Sequence, residues 1–238
     1  RAFQRGPRPR NAAEARQARL VVLPALMKRG ASFAPFLLFA ILTVVWTWPL
    51  VRHPGASIPG EPGDNFSFLW NLWWVRRVLA TGGSFFHSTF LLHPLGVDLV
   101  NHPHTALQGF LTATLLAPLS IVTAQNVCIL VCVFGNAATA YALAMEMSGN
   151  RRAATLAAVT FGGSPYIAAH LLGHFDLLSA WVLPLFALLL RRALRDESLA
   201  ASVGCGLVAG VAAYSAYYYV VYLGLLAVTY TVAWVKPF

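Results

Sequence analysis

The chain has 238 residues, of which 58% are hydrophobic and only 11% are charged, and its mean hydropathy is +0.64. Soluble domains carry about 25% charged residues, so the composition excludes an ordinary soluble domain and indicates an integral membrane protein. The formal net charge is +9, but the basic residues cluster near the N-terminus and beside apolar runs. This distribution is typical of membrane orientation, and we predict no nucleic-acid partner.

The N-terminal residues 1–33 are polar and rich in arginine. Positively charged segments beside a first apolar run stay in the cytoplasm, so we predict a basic cytoplasmic segment over 1–33. The sequence begins with Arg1 and ends at Phe238, directly after an apolar run. We therefore expect an N-terminal fragment of a longer protein.

The apolar runs predict an all-α fold, a polytopic bundle of about six transmembrane helices. A spanning helix needs about 20 mostly apolar residues. The predicted spans are 34–51, 126–147, 153–169, 177–194, 199–214 and 217–235. The last two come from one run, 199–235, which as a single helix would be about 55 Å long, far beyond a bilayer core of about 30 Å. We therefore predict a break near Ser215, and Gly206 and Gly210 form a G-x-x-x-G pattern that favours close helix packing.

Another apolar stretch, 105–122, cannot be assigned from hydropathy alone. If it crossed the membrane, the basic turns at 151–152 and 191–195 would lie outside, against the positive-inside rule. We therefore predict that 105–122 lies on or dips into the outer face. One external loop, 52–125, then contains two interfacial helices, 64–81 and 105–122.

This topology places four of the eight acids and all seven histidines on the outer side. The external loop contains Glu61, Asp64 and Asp98 among its ionisable residues, and the turn that follows the third span adds His170, His174 and Asp176. The turn between the last two spans adds several tyrosines, including Tyr218. We therefore expect the protein to act at the outer interface.

The helix 64–81 has a narrow polar stripe on an aromatic surface. Asp64, Ser67 and Asn71 are three and four residues apart, so they share one face. Tryptophan is favoured at the membrane–water boundary, with its ring buried and its N–H wet. We expect the helix to lie flat, with the arginines at 76–77 free to reach lipid headgroups.

Asp64 has two compatible interpretations. It follows Pro-Gly and precedes a helix, which is a favourable N-cap position. It can also act as a general base or a metal ligand at the membrane surface. Glu61 is more simply explained as a solvated loop residue and Asp98 as a turn residue.

The histidines also leave alternatives open. His102 and His104 form H-P-H ahead of the second interfacial helix, and His170 and His174 are four residues apart. A divalent metal is possible, with Asp64, His102 and His174 as candidate ligands, and so is hydrogen bonding to a phosphate or a sugar. The sequence contains no H-E-x-x-H, C-x-x-C, Walker A, G-x-S-x-G or G-x-G-x-x-G motif, so nucleotide chemistry is unsupported.

In their order along the chain, these motifs resemble the GT-C class of membrane glycosyltransferases, and most closely a large uncharacterised bacterial branch of it. The resemblance covers about 34–235 and rests on PGD (62–64), the aromatic helix, LHPLGVDL (92–99), NHPH (101–104), GNRR (149–152), SPY (164–166) and GHFDLLS (173–179).

The resemblance implies a role for each candidate residue. It makes Asp64 the catalytic carboxylate of the first external loop and Asp176 a second catalytic acid. It implies a polyprenyl-phosphate sugar donor, a membrane lipid environment, a bacterial inner-membrane location and, as is often the case in the class, a divalent metal. The expected substrate-binding residues are Glu61, Asn71, His102, His104, His170, His174 and Tyr218.

The chemistry fits such a donor, because a lipid-linked sugar keeps its phosphate at the interface. A carboxylate there can take the proton of an acceptor hydroxyl, and a histidine can stabilise the departing phosphate. The alternative is a non-enzymatic membrane protein, either a transporter or flippase for a lipid-linked glycan or an envelope-assembly scaffold. A transporter is expected to have ionisable residues at mid-membrane, whereas Glu146 lies near the cytoplasmic end of its predicted span.

Overall fold

Helices make up most of the described part of the chain, which in this computed structural model comprises residues 33–235 without Pro49 and Pro62. The predicted all-α class is therefore confirmed in outline. The exception is a short antiparallel hairpin in which β1 (His87–Ser88) pairs with β2 (Val97–Asp98). Apart from Phe33, the predicted cytoplasmic segment 1–33 lies outside the described residues.

The first predicted span is a shorter helix than expected. Helix α1 (Ala34–Trp46) has 13 residues and is followed by a 3₁₀ turn at Leu50–Arg52. At 1.5 Å per residue α1 is about 20 Å long, less than the bilayer core of about 30 Å.

The external loop contains two helices, as predicted, but it ends earlier in the chain than predicted. Helix α2 (Asp64–Thr81) is the aromatic helix, and α3 (Ala106–Ala113) has only eight residues. At about 12 Å, α3 is too short to span a bilayer core of about 30 Å. Helix α4 (Ile121–Ser148) begins within the predicted loop, where the Ser120 side chain accepts a hydrogen bond from the Thr123 N–H.

The predicted span 153–169 is broken into two helices. Helix α5 (Arg151–Gly162) ends before Gly163, and α6 (Pro165–Leu171) begins after Ser164. The Ser164 side chain accepts from the Ile167 N–H, and a proline is tolerated in the first helical turn because its missing N–H is not needed there. A new N-cap therefore interrupts the apolar run.

The last part of the chain confirms the predicted break at Ser215. A 3₁₀ helix (Leu177–Trp181) leads into α7 (Val182–Arg195), and α8 (Leu199–Ser215) is separated from α9 (Tyr218–Val235) by extended backbone at Ala216.

Three helical segments are long and apolar enough to span a membrane: Ile121–Ser148, Leu177–Arg195 and Tyr218–Val235. Helices α1 and α8 are apolar but shorter. The chain therefore has the character of a membrane protein, while the predicted number of six spans is not confirmed.

The main hydrophobic core lies among α4, α6, α7, α8 and α9, with the side chains of Leu178, Val182 and Tyr219 almost fully buried. Helix α2 joins this core through Phe68, whose ring lies 5.9 Å from that of Phe175. This contact fixes the polar face of α2 against the turn that carries His174.

The close packing predicted at Gly206 and Gly210 is not observed. An added Cβ on either residue would meet no described atom within 4 Å, whereas one on Gly204 would lie 3.2 Å from Leu189 Cδ1. Within the described residues, α8 therefore approaches α7 through Gly204.

Helix α3 packs against α2, a contact that the sequence did not predict. The Trp74 ring is buried beside Val78 and Leu99, and its Nε1–H donates to the Phe85 carbonyl oxygen at 3.2 Å. Arg76 is not free to reach lipid, since its guanidinium donates to the Leu116 and Leu119 carbonyl oxygens. Carbonyl groups at the end of a helical segment have no intrahelical donor, and Arg76 supplies one.

Candidate functional site

A cavity of about 370 Å³ lies between α2, the loop before α3 and the turn after α6. Its described lining residues are Asp64, Ser67, Phe68, Asn71, His102, Pro103, His174, Asp176, Leu177 and Tyr218. Six of the nine predicted site residues are in this set. Glu61, His104 and His170 are not.

Asp64 is the first residue of α2 and its side chain is exposed. The N-cap is Gly63 at φ 119°, a conformation that favours glycine, and the structure shows no side-chain cap bond there. The N-cap interpretation of Asp64 is therefore wrong. Its Oδ2 lies 3.6 Å from His174 Nε2, and a carboxylate in the first turn of a helix is favoured by the helix dipole.

Asp176 contrasts with Asp64 because its side chain is buried, with the residue only 5% exposed. Burial raises the pKa of the Asp176 carboxyl above its ordinary value, and nearby Asp64 adds to this, while the Leu177 amide and His174 oppose it. Two carboxyl groups in such different surroundings can take different protonation roles, one as base and one as proton donor.

His102 is held by Asn71. Its Nε2 lies 2.6 Å from Asn71 Oδ1, and Asn71 Nδ2 donates to the Pro103 carbonyl oxygen at 2.8 Å. Because Asn71 Oδ1 accepts, Nε2 carries the proton. Burial, and then the neighbouring His104, lowers the pKa of His102. Both ends of the Asn71 amide are occupied, so Asn71 positions the His102–Pro103 segment.

His170 lies next to His174, which follows the end of α6. Their ring centroids are 5.2 Å apart, and the His170 ring also packs edge-on against Tyr166 at 4.3 Å. The His174 backbone N–H donates to the His170 carbonyl oxygen. His170 therefore supports the orientation of His174 from outside the cavity.

His104 and Glu61 form hydrogen bonds with the loops around the cavity. His104 Nε2 lies 2.6 Å from the Leu99 carbonyl oxygen, and its ring packs against Phe86. The Glu61 backbone N–H donates to the Leu172 carbonyl oxygen at 3.1 Å. The structure thus brings neither side chain to the cavity lining.

Two residues that hold the site were missed. Asn65 lies off the predicted polar stripe, and its buried Nδ2 donates to the Pro59, Glu61 and Leu172 carbonyl oxygens, tying the loop to the end of α6. Tyr219 donates to the Leu177 carbonyl oxygen from beside the lining residue Tyr218. Two features of the sequence could have indicated them. Asn65 places an amide in the first turn of α2, and Tyr219 places a tyrosine in the first turn of the apolar helix α9.

The candidate metal ligands do not form a complete set. Asp64 and His174 lie together, but His102 is bonded to Asn71. Within residues 33–235, Pro49 and Pro62 apart, no three His, Cys, Asp or Glu side chains are grouped to hold a metal ion.

No protein-family model, no curated protein and no solved structure matches this chain.

Four ionisable side chains surround the polar cavity. They are the exposed carboxylate of Asp64 with the imidazole of His174 beside it, the buried carboxyl group of Asp176 and the neutral imidazole of His102. That set can deprotonate a hydroxyl group and hydrogen-bond a phosphate or a sugar.

Proposed function

We propose that the chain is a GT-C-type membrane glycosyltransferase, which moves a sugar from a polyprenyl-phosphate donor to an acceptor at the outer face of a bacterial cytoplasmic membrane. The observation that carries the proposal is the single cavity that collects Asp64, Asp176 and His174. Its volume of about 370 Å³ falls within the range of about 300–1,000 Å³ that is typical of small-molecule sites.

In the proposed reaction the acceptor hydroxyl oxygen bonds to the anomeric carbon of the donor sugar. The bond from that carbon to the phosphate oxygen breaks, and its electron pair leaves with polyprenyl phosphate. Asp64 accepts the hydroxyl proton. His174, beside Asp64, hydrogen-bonds the departing phosphate. His102, whose Nε2–H is donated to Asn71, accepts a hydrogen bond from a sugar hydroxyl through Nδ1, while Asp176, whose burial favours the protonated form, donates a hydrogen bond to a sugar or phosphate oxygen.

The proposed topology has about six spans with a cytoplasmic N-terminus. Helices α5 and α6 together cover 151–171, which at 1.5 Å per residue is about 31 Å and matches a bilayer core of about 30 Å. Helix α8 is about 26 Å long by the same measure. With α1, these segments complete the six crossings and keep the basic turns at 151–152 and 191–195 inside.

The decisive experiment measures transfer of label from a radiolabelled polyprenyl-phosphate sugar pool to endogenous acceptors in membranes. Asp64→Asn is compared with wild type and with Asp196→Asn, a matched control whose exposed carboxylate lies 3.7 Å from Arg195 Nε, away from the cavity. We expect Asp64→Asn to lower transfer by about 10²-fold or more, the usual contribution of a general base, and Asp196→Asn to leave it unchanged.

Membrane insertion of each variant is checked in the same preparations. Normal transfer by Asp64→Asn would remove Asp64 from the reaction. No transfer by any form, wild type included, would favour the non-enzymatic alternative of a lipid-linked glycan transporter, flippase or envelope-assembly scaffold.

A further inference from the structure

The hairpin between α2 and α3 has an apolar tip that the rest of the described chain does not cover. Leu92 is 71% exposed and Leu95 is 87% exposed, and Phe90 at the start of the tip is 53% exposed. Contiguous apolar surface of this kind marks a contact with another apolar medium. A loop tip gains nothing from such side chains in water.

The tip is a defined structure. His87 pairs with Asp98 across the hairpin, where their side chains lie 3.1 Å apart. The Gly96 N–H donates to the Leu92 carbonyl oxygen, and Gly96 has φ 77°. A Cβ on Gly96 would lie 2.9 Å from His87 Nε2, so this glycine allows the strands to close tightly.

The charge distribution selects lipid as the medium that the tip contacts. No Asp, Glu, Lys or Arg stands between Arg77 and Asp98, so the tip has no permanently charged side chain, and its one polar ring is that of the exposed His93. At the root of the hairpin, the Arg77 guanidinium lies 4.5 Å from the Phe90 ring centroid and 5.7 Å from that of Trp73. A cation beside aromatic rings at the edge of an apolar surface is suited to a lipid phosphate.

Apolar side chains are also exposed at α3 and just after it. The Phe110 ring lies 5.8 Å from that of Phe85, which precedes the hairpin, and Phe110 and Leu115 are both exposed. Helix α3 is too short to span a bilayer, so these side chains also need an interfacial environment.

We propose that the hairpin tip inserts into the lipid bilayer, with Leu92 and Leu95 among the acyl chains and Arg77 at the phosphate level. The hairpin contacts the site loop, because Phe86 packs on His104 and His104 packs on His102. Insertion would therefore fix the depth of the His102 segment relative to the lipid headgroups. This inference requires a membrane protein and does not depend on the proposed reaction.

The test places a nitroxide spin label on the hairpin of the full chain. The three free cysteines, Cys128, Cys132 and Cys205, are replaced by alanine, and Leu95→Cys or Leu92→Cys is labelled. The control is Thr81→Cys at the exposed end of α2. Each protein is reconstituted in vesicles of phosphatidylethanolamine and phosphatidylglycerol, and collision of the label with oxygen and with a water-soluble nickel chelate is measured.

We expect labels at 92 and 95 to collide with oxygen and to be shielded from nickel by at least threefold relative to the label at 81. Equal nickel access at all three positions would place the tip in water and overturn the proposal. Shielding from both oxygen and nickel would show that the tip is buried against protein, and this result would also overturn the proposal. Agreement between two labelled positions guards against an artefact of one substitution, and gel filtration shows that each variant is folded.

Discussion

The imidazole of His174 lies 3.6 Å from the carboxylate of Asp64, although the two residues come from the turn after α6 and the start of α2. The contact joins the first turn of α2 to a turn that lies more than a hundred residues later in the sequence. It places a proton-carrying ring beside the exposed carboxylate on the wall of the candidate cavity.

Replacing His174 by alanine is expected to lower sugar transfer by about 10²-fold, the usual cost of removing one group that stabilises developing charge. The measurement is transfer to endogenous acceptors in membranes. His53→Ala is the control, because His53 is exposed and lies outside the described cavity lining. Equal losses in both variants would show that His174 has no specific role.

Asp176 gives a pH prediction with a definite sign. Because burial raises the pKa of its carboxyl group, the folded chain binds this proton more tightly than the unfolded chain. Stability from this group is therefore fully present below the ordinary aspartate pKa and is lost as pH rises through the raised folded value. Asp176→Asn removes the titration, so its curve of stability against pH should be flatter in that window.

The same variant separates stability from function. At neutral pH we expect Asp176→Asn to raise Tm by about 2–4 °C, which corresponds to about 1 kcal/mol in a chain of this size, and to lower sugar transfer. Thermal unfolding in detergent at several pH values provides the test. A fall in Tm that grows as the pH rises would instead show that the ionised carboxylate stabilises the fold.

Asn71 should be important for stability as well as for the site. Asn71→Leu keeps the branching of the side chain but leaves the Pro103 carbonyl oxygen and the His102 Nε2–H without their partner. The expected cost is about 2–4 kcal/mol of unfolding free energy, because each buried polar group left unpaired costs about 1–3 kcal/mol. Ser67→Ala on the same helix is the control, and an exposed substitution there should stay within about 0.5 kcal/mol.

Gly109 controls how closely α2 and α3 approach. A Cβ at this position would lie 2.6 Å from Val75 Cγ2, so Gly109→Ala should destabilise the fold by about 1–3 kcal/mol through overpacking. Gly206→Ala is a matched helical control without a described neighbour within 4 Å, and it should be neutral or slightly stabilising.

A second change tests the cause of the Gly109 effect. Val75→Ala removes the methyl groups that the new Cβ would meet, so the double variant should recover part of the stability lost in Gly109→Ala. Thermal unfolding of the two single variants and the double variant gives the coupling energy. Strictly additive losses would place the strain elsewhere.

The sequence alone determined the class of protein and most helical segments. Hydropathy averaged over a window is a local property, so it identified the long apolar helix α4 and the break at Ser215, which follows from bilayer thickness. The same local signals could not detect the break at Ser164, because a serine N-cap inside an apolar run barely changes the average hydropathy. For this reason the sequence predicted one helix over 153–169 where the structure has two.

Tertiary structure decided which polar groups meet. The sequence placed Asp64, His102, His174 and Asp176 in neighbouring loops, but only the packing of α2 on the bundle set the short contact of Asp64 with His174 and paired His102 with Asn71. It also turned Arg76 onto the carbonyl groups after α3 instead of toward lipid. Such choices depend on distances between segments remote in sequence, whereas periodicity fixes only the face of a helix on which a residue lies.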